Sequence, residues 1–466
     1  MSEEENDREM YLSEDQSDAV TASTPVAVNA KKITLHFDEG SDLASISSSL
    51  KDPDCVVLYV NLYASFMQKY GPEAIEQLFS EVHLPHLLGI KVWRPECRVE
   101  EGAVMPQFSF PVKALSLLLR STLKLEYLIF DLKLAGNRDD FAGLGNAFGR
   151  LVMLQCIGLT INVDDKVNQD TGGTANPLDP LIKGLAKLSN VTDIIIKGSC
   201  NPMEDSLGAL ESAGLRDLCL LPKLSSLYLF LFVLSNDNLA AMASSLEHNN
   251  VLRELCINCS LGITGSQAFT RLFRRNQTLN EVIMIVTGFD QADGNPNNNH
   301  SIQHQIEAEI AEGLADSTSL KEFLFQGGMG EMSTQSLTHF RDAVKSNYVI
   351  EKVSLRVGDD HANKALDEEM KFLMELNKLG RGELLTDTTV HRDARWTRML
   401  AKMGSDISNL HYLLSMNPSL CCYSVDSSSP QRSRGKKKAA STATQSQPTK
   451  RTRLYRAAKY QRVNYR

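Results

Sequence analysis

The sequence predicts an α/β solenoid: a curved horseshoe with a parallel β-sheet on its concave face and helices on its convex face. Three observations predict it. A short apolar pattern recurs along the chain, helix-period segments separate its copies, and a polar residue stands three places before several of them.

The pattern is L-x-x-L-x-L, with Ile, Val, Phe, Met or Cys allowed at its apolar positions. It begins with Leu125-x-x-Leu128-x-Phe130 and Leu154-x-x-Ile157-x-Leu159. Val191-x-x-Ile194-x-Ile196, Leu224-x-x-Leu227-x-Leu229 and Leu252-x-x-Leu255-x-Ile257 follow. Leu279-x-x-Val282-x-Met284, Leu320-x-x-Phe323-x-Phe325 and Ile350-x-x-Val353-x-Leu355 complete the series. Two weaker copies lie upstream, Cys55-x-x-Leu58-x-Val60 and Leu87-x-x-Ile90-x-Val92. Steps between the eight clear copies are 29, 37, 33, 28, 27, 41 and 30 residues. Two of the longest contain polar, Gly/Pro/Asn-rich stretches, Asn162 to Pro177 and Asp290 to Ser301, which read as surface insertions.

Helical spacing of apolar residues appears between the copies, as in Leu239–Leu246, Ala268–Phe273, Ile306–Leu314 and Leu337–Val344. Asn249, Asn276, Ser317 and Asn347 each precede the next copy by three residues. An asparagine there is expected to adopt the left-handed conformation that ends a helix. A strand with three inward apolar residues cannot bury its face alone. Stacked on its neighbours and covered by helices, it can. Strand–helix alternation also suits a doubly wound α/β enzyme. Strands buried on both faces, however, read as continuous apolar runs rather than spaced ones.

Polar residue, two residues, then L-x-x-L-x-L at this period resembles the ribonuclease-inhibitor-like leucine-rich-repeat superfamily, over roughly residues 31–375. The resemblance implies a solenoid and a binding role, but one fold hosts many functions. The stretch Leu376-Asn377-x-x-Gly380-Arg381-Gly382, with Asn417-Pro418-Ser419-Leu420, resembles the C-terminal region of uncharacterised leucine-rich-repeat families of single-celled algae, which brings no known activity.

Composition and charge divide the chain. Residues 1–30 are acidic and small, without apolar period, and are expected to be disordered. The solenoid is assigned to 31–363, a helical C-terminal cap to 364–422 and a disordered basic tail to 423–466. After Asp426 there are 12 Lys/Arg and no acid. Of the 49 basic residues 37 therefore precede it, against 57 acidic ones, a net of −20. No apolar run reaches the ~20 residues that span a bilayer, and the acidic start does not read as a secretory signal. The nine scattered cysteines, several inside apolar runs, read as reduced and buried. A cytoplasmic or nuclear location is the expectation.

In each strand the third, fifth and seventh positions alternate with the inward fourth and sixth, so they face the concavity. The resulting candidate partner surface comprises Asp193, Ile195, Tyr228, Phe230, Glu254, Glu281, Ile283, Glu322, Leu324 and Arg356. Exposed apolar residues beside carboxylates are what a protein-binding surface needs, and the carboxylates favour a basic partner segment, in another protein or in this chain's tail. The tail clusters Arg432, Arg434, Lys436, Lys437, Lys438 and Lys450, Arg451, Arg453 are candidates for nuclear import; contact with nucleic acid through the Arg/Tyr mixture is a weaker reading.

Signals of catalysis are sparse, and no cofactor or metal is expected. Gly327-Gly328-Met-Gly330 lacks the Lys-Ser/Thr of a phosphate loop. Cys256-x-x-Cys259 has metal spacing, but its two cysteines fall on opposite faces of a strand. His300-x-x-x-His304 is expected to be solvated at the end of a polar loop. The function expected is that of a non-enzymatic scaffold binding a protein on its concave face. Regulation of a small GTPase, by superfamily analogy, is the alternative.

Overall fold

The computed structural model describes residues 31–37, 40–51, 55–81, 84–93, 109–161, 176–198, 210–289, 299–327 and 331–382, with residues 401, 411 and 415. The acidic N-terminus, the basic tail and most of the expected cap lie outside the described residues. The chain divides into two compact units, Met1–His411 and Tyr412–Arg466. The sheet and helices below belong to the first; of the second, only Ser415 is described, and it is helical.

Strand and helix alternate in the order β1 (Lys31–Phe37), α1 (Leu43–Lys51), β2 (Cys55–Tyr63), α2 (Ala64–Glu81), β3 (Gly89–Trp93), β4 (Ser109–Pro111), α3 (Val112–Ser121) and β5 (Tyr127–Ala135). Then come α4 (Arg138–Phe148), β6 (Cys156–Ile161), α5 (Asp179–Leu185), β7 (Asp193–Gly198), α6 (Ser212–Cys219), β8 (Ser226–Leu234) and α7 (Asn236–Leu246). The last are β9 (Glu254–Leu261), α8 (Ile263–Arg275), β10 (Glu281–Phe289), α9 (Asn299–Asp316), β11 (Glu322–Gly327), α10 (Thr334–Ser346), β12 (Lys352–Leu355) and α11 (His361–Lys378). Among the described residues these strands form one 12-stranded sheet in sequence order, with only β4 off the path, paired to β5. Its strand pairs are all parallel.

The register follows the apolar pattern. Leu227, Leu255, Val282 and Phe323 lie side by side on β8 to β11, as do Leu229, Ile257, Met284 and Phe325. All eight are at most 1% exposed. Burying each contributes about 1.5–3 kcal/mol, and none could be buried without the strand beside it. The helices cover this face. Phe273 of α8 meets Phe323 at 5.8 Å, and Phe340 of α10 meets Phe323 and Phe325 at 6.3 and 6.0 Å. Helices of successive repeats also pack on one another. Between α4 and α5 the backbones touch: a Cβ on Gly145 would stand 2.3 Å from Pro180 O. Only glycine permits that approach. The fold is a leucine-rich-repeat solenoid.

The upstream copy needs correction. β2 pairs with β3 through Val60↔Ile90 and Leu62↔Val92, so its repeat is Val57-x-x-Val60-x-Leu62, two residues later than Cys55-x-x-Leu58-x-Val60. Val57, Val60 and Leu62 are buried, while Leu58 is only half-buried. One further strand, β1, aligns Leu35 and Phe37 with Val60 and Leu62.

The role expected of the asparagines changes as well. Asn276 (φ −76°, ψ 133°) and Asn347 (φ −95°, ψ 125°) are extended, not left-handed. Their side-chain amides join the turns of successive repeats. Asn276 Nδ2 donates to Leu246 O (2.7 Å) and Asn249 O (2.9 Å), and its Oδ1 accepts from the amides of Thr278 and Leu279. Asn347 repeats the arrangement on Leu314 O and Ser317 O, and Asn377 donates to Asn347 O and Ile350 O. Each amide thus satisfies backbone carbonyls at the helix end and in the turn of the preceding repeat. At the end of α11 a positive φ is taken instead by glycine, Gly380 (φ 92°).

Candidate functional site

The face of the sheet away from the helices carries two adjoining rows. Across β7 to β12 the third strand positions are Asp193, Ser226, Glu254, Glu281, Glu322 and Lys352, each the register partner of the next. The fifth positions are Ile195, Tyr228, Cys256, Ile283, Leu324 and Ser354, in the same register. Neighbouring parallel strands lie about 4.8 Å apart. The sheet therefore sets a line of acids beside a line of apolar side chains.

The apolar line is not the exposed stripe that the sequence suggested. Tyr228 is 7% exposed, Cys256 0% and Ile283 8%, and together they form one buried cluster. Ile195, Phe230, Ile285 and Leu324 are half-buried at its margin. Side chains on adjacent strands cover one another, which no single strand's alternation reveals. Phe230 also departs from the expected row. The pairing of β8 with β9 jumps from Leu229↔Ile257 to Val233↔Asn258, a bulge that removes Phe230 from the ladder. Its ring instead packs on Tyr228, centroids 6.2 Å apart.

The acids are held unequally. Tyr228 donates its hydroxyl to the Glu254 carboxylate. Burial, with the Glu254 charge beside it, pushes the phenol's pKa far above its ordinary value, so it remains a neutral donor. Lys352 Nζ lies 3.6 Å from Glu322. Glu281 is 7% exposed. Asp193 accepts from Thr192 Oγ1 at 2.7 Å, yet its pKa is raised, chiefly because burial disfavours the charged form. Glu254, Glu281 and Glu322 are thus register neighbours of one sign on adjacent strands, an arrangement that by itself disfavours pairing. At the seventh position of β9 the buried Asn258 Oδ1 has no hydrogen-bond partner. Arg356, just past β12, is exposed. All ten sequence-named residues thus lie on β7 to β11 or just past β12. The import candidates Arg432 to Arg453 fall outside the described residues.

One cluster was read only in part. His304 keeps partial solvent exposure but is also hydrogen-bonded: its Nδ1 lies 2.9 Å from Ser336 Oγ and 3.2 Å from Ser333 Oγ. Ser336 donates to the buried Glu307, which also accepts from Gln303 Nε2 at 2.9 Å. A Ser, His and Glu in contact suggest catalysis, but Ser336 is 0% exposed and cannot meet a substrate. The group ties α9 to the N-terminus of α10, where Ser333 caps the helix. His300's side chain lies outside the described residues.

No family model and no curated protein matches the chain. Solved structures do match. One is the yeast Rad7 and Elc1 complex, at 12% identity, covering 73% of this chain and 73% of that one, with a TM-score of 0.38. Another is the tropomodulin C-terminal domain of Caenorhabditis elegans, at 9% identity over 37% of this chain and 98% of that one, TM-score 0.26. A third is the actin-binding site 2 of leiomodin-1, at 12% identity over 37% and 92%, TM-score 0.26. Among the described residues no helix is long and apolar enough to cross a membrane.

Proposed function

We propose that this chain is a non-enzymatic protein-interaction scaffold that seats a basic protein segment on the face of its sheet opposite the described helices. The observation that carries the reading is the row Asp193, Ser226, Glu254, Glu281 and Glu322, four of its five residues acidic, running beside the apolar line Ile195 to Leu324. Apolar contact supplies affinity, and charge supplies orientation and encounter rate. Half-buried Ile195, Phe230, Ile285 and Leu324 offer the apolar contact. The proposal takes the repeat to be of the ribonuclease-inhibitor type, acting in the cytoplasm or nucleus. No residue of this face favours regulation of a small GTPase over binding of a basic segment. Nucleic-acid contact was read from residues outside the described ones.

A fluorescein-labelled peptide alternating Lys and Leu tests this on the full chain by anisotropy. Glu322→Gln combined with Leu324→Ser, both half-buried positions, is expected to weaken binding about tenfold, roughly 1.4 kcal/mol. Wild-type affinity is expected to fall as salt rises. Equal affinities for wild type and variant would refute the site.

A further inference from the structure

A second surface stands apart from the sheet face. Of the five exposed large hydrophobic residues among the described ones, four lie at the edge where helices end and strands begin: Leu123, Val152, Met153 and Leu220. They belong to the turns preceding β5, β6 and β8. These turns are neighbours in space. Gln155 N donates to Glu126 O, Thr192 N to Gln155 O and Ser225 N to Thr192 O. Asn190 Nδ2 donates to Val152 O at 2.6 Å, and Lys223 Nζ to Asn190 Oδ1 at 2.5 Å.

The same edge is cationic. Arg120, Arg150, Lys187, Arg216 and Lys223 are exposed on it, and among the described residues Asp217 is its one exposed carboxylate. Arg120 and Arg150 line a common recess with Asn146 and Ala147. None of Arg120, Arg150, Lys187 and Arg216 has an ion pair among the described residues. Two repeats further on, the cations of the corresponding helix end, that of α8, are neutralised. Arg271 and Arg275 meet Glu247, and Arg274 meets Glu312 and Asp316. Cations near helix C-termini favour the helix dipole, which accounts for Arg120 and Arg216. It does not account for aliphatic side chains held in water between them, nor for how few carboxylates stand beside them among the described residues, in a chain whose first 426 residues carry a net of −20.

We propose that this edge, over the turns from Arg120 to Lys223, docks an acidic protein segment bearing aliphatic side chains among its carboxylates. The argument is complementarity of both kinds. The unpaired guanidinium and ammonium groups match carboxylates, and Leu123, Val152, Met153 and Leu220 match aliphatic anchors. Anionic nucleic acid would meet the charge but leave the aliphatic groups unmatched, since bases stack on aromatic rings. The site is independent of the sheet face and of the basic segment proposed for it.

The test uses the full chain and a labelled peptide alternating Glu and Leu, its Glu/Ser counterpart, phosphatidylserine vesicles and a single-stranded oligonucleotide. The Glu/Leu peptide is expected to bind about tenfold more tightly than the Glu/Ser one. Arg120→Glu with Arg150→Glu, and separately Val152→Ser with Met153→Ser, are each expected to reduce its affinity about tenfold with unchanged melting curves. All four positions are exposed, so folding should be spared. Equal binding of the two peptides would reduce the edge to bulk charge attraction and overturn the proposal. So would unchanged affinity in both variants, which would place the peptide elsewhere, or binding of vesicles or oligonucleotide in preference to the peptide.

Discussion

Asn276→Ala is expected to destabilise the solenoid by about 4 kcal/mol. The side chain is 3% exposed. It donates two hydrogen bonds, to Leu246 O and Asn249 O, and accepts two, from the amides of Thr278 and Leu279. Each is worth roughly 1 kcal/mol net, more where its loss leaves a buried backbone group unpaired. Four of them set the figure. The bonds to Leu246 and Asn249 reach the preceding turn, so the loss weakens the joint between repeats, where a solenoid's cooperativity resides. Urea unfolding followed by circular dichroism checks this, with Asn250→Ala, at an exposed position, as the reference. A loss below about 1 kcal/mol for Asn276→Ala, or one matching Asn250→Ala, would show that the asparagine ladder does not hold the repeats together.

Three further outcomes are expected. Burial raises the Asp193 pKa above its ordinary 3.8, so the folded chain holds this proton more tightly than the unfolded one. The group's contribution to stability is therefore lost as pH rises from 3.8 through the raised value. Asp193→Asn should melt above wild type near pH 7 and equal it below 3.8; a gap that grows in acid would contradict the burial. Ile283→Cys should form a disulfide with Cys256, its register partner on the same face, whereas Met284→Cys, turned to the helices, should not; mass spectrometry of unreduced peptides decides it, and the opposite pattern would mean a register slipped by one. Gly145→Ala should cost about 2 kcal/mol in urea unfolding through its clash with Pro180 O. Gly143→Ala, whose Cβ meets nothing nearer than Ser116 Oγ at 3.8 Å, should be neutral or stabilising.

The sequence made the inward rows legible because the fourth and sixth strand positions are filled by the same kind of side chain in every repeat. It misplaced β2 because Cys55–Tyr63 has apolar residues on both faces, so two frames fit equally; only pairing with Ile90 and Val92 selects one. Phe230 was misjudged for the same reason, since Leu227 to Leu234 is an unbroken apolar run that conceals a bulge. The asparagines were found by their spacing, but their bonds reach residues about 30 positions away, beyond any local rule. Burial of Tyr228 and Ile283 likewise depends on what adjacent strands place beside them. The cationic edge lies in turns that carry no repeat signal, and becomes visible only once those turns are stacked.

The most direct measurement is photo-crosslinking of the Lys/Leu peptide, carrying a benzophenone, to the full chain, with the attachment points mapped by mass spectrometry. The account predicts attachment on β7 to β11, at Ile195, Phe230, Ile285 or Leu324, the half-buried rim of the apolar line. Attachment confined to the helices, or to residues outside the sheet, would contradict it.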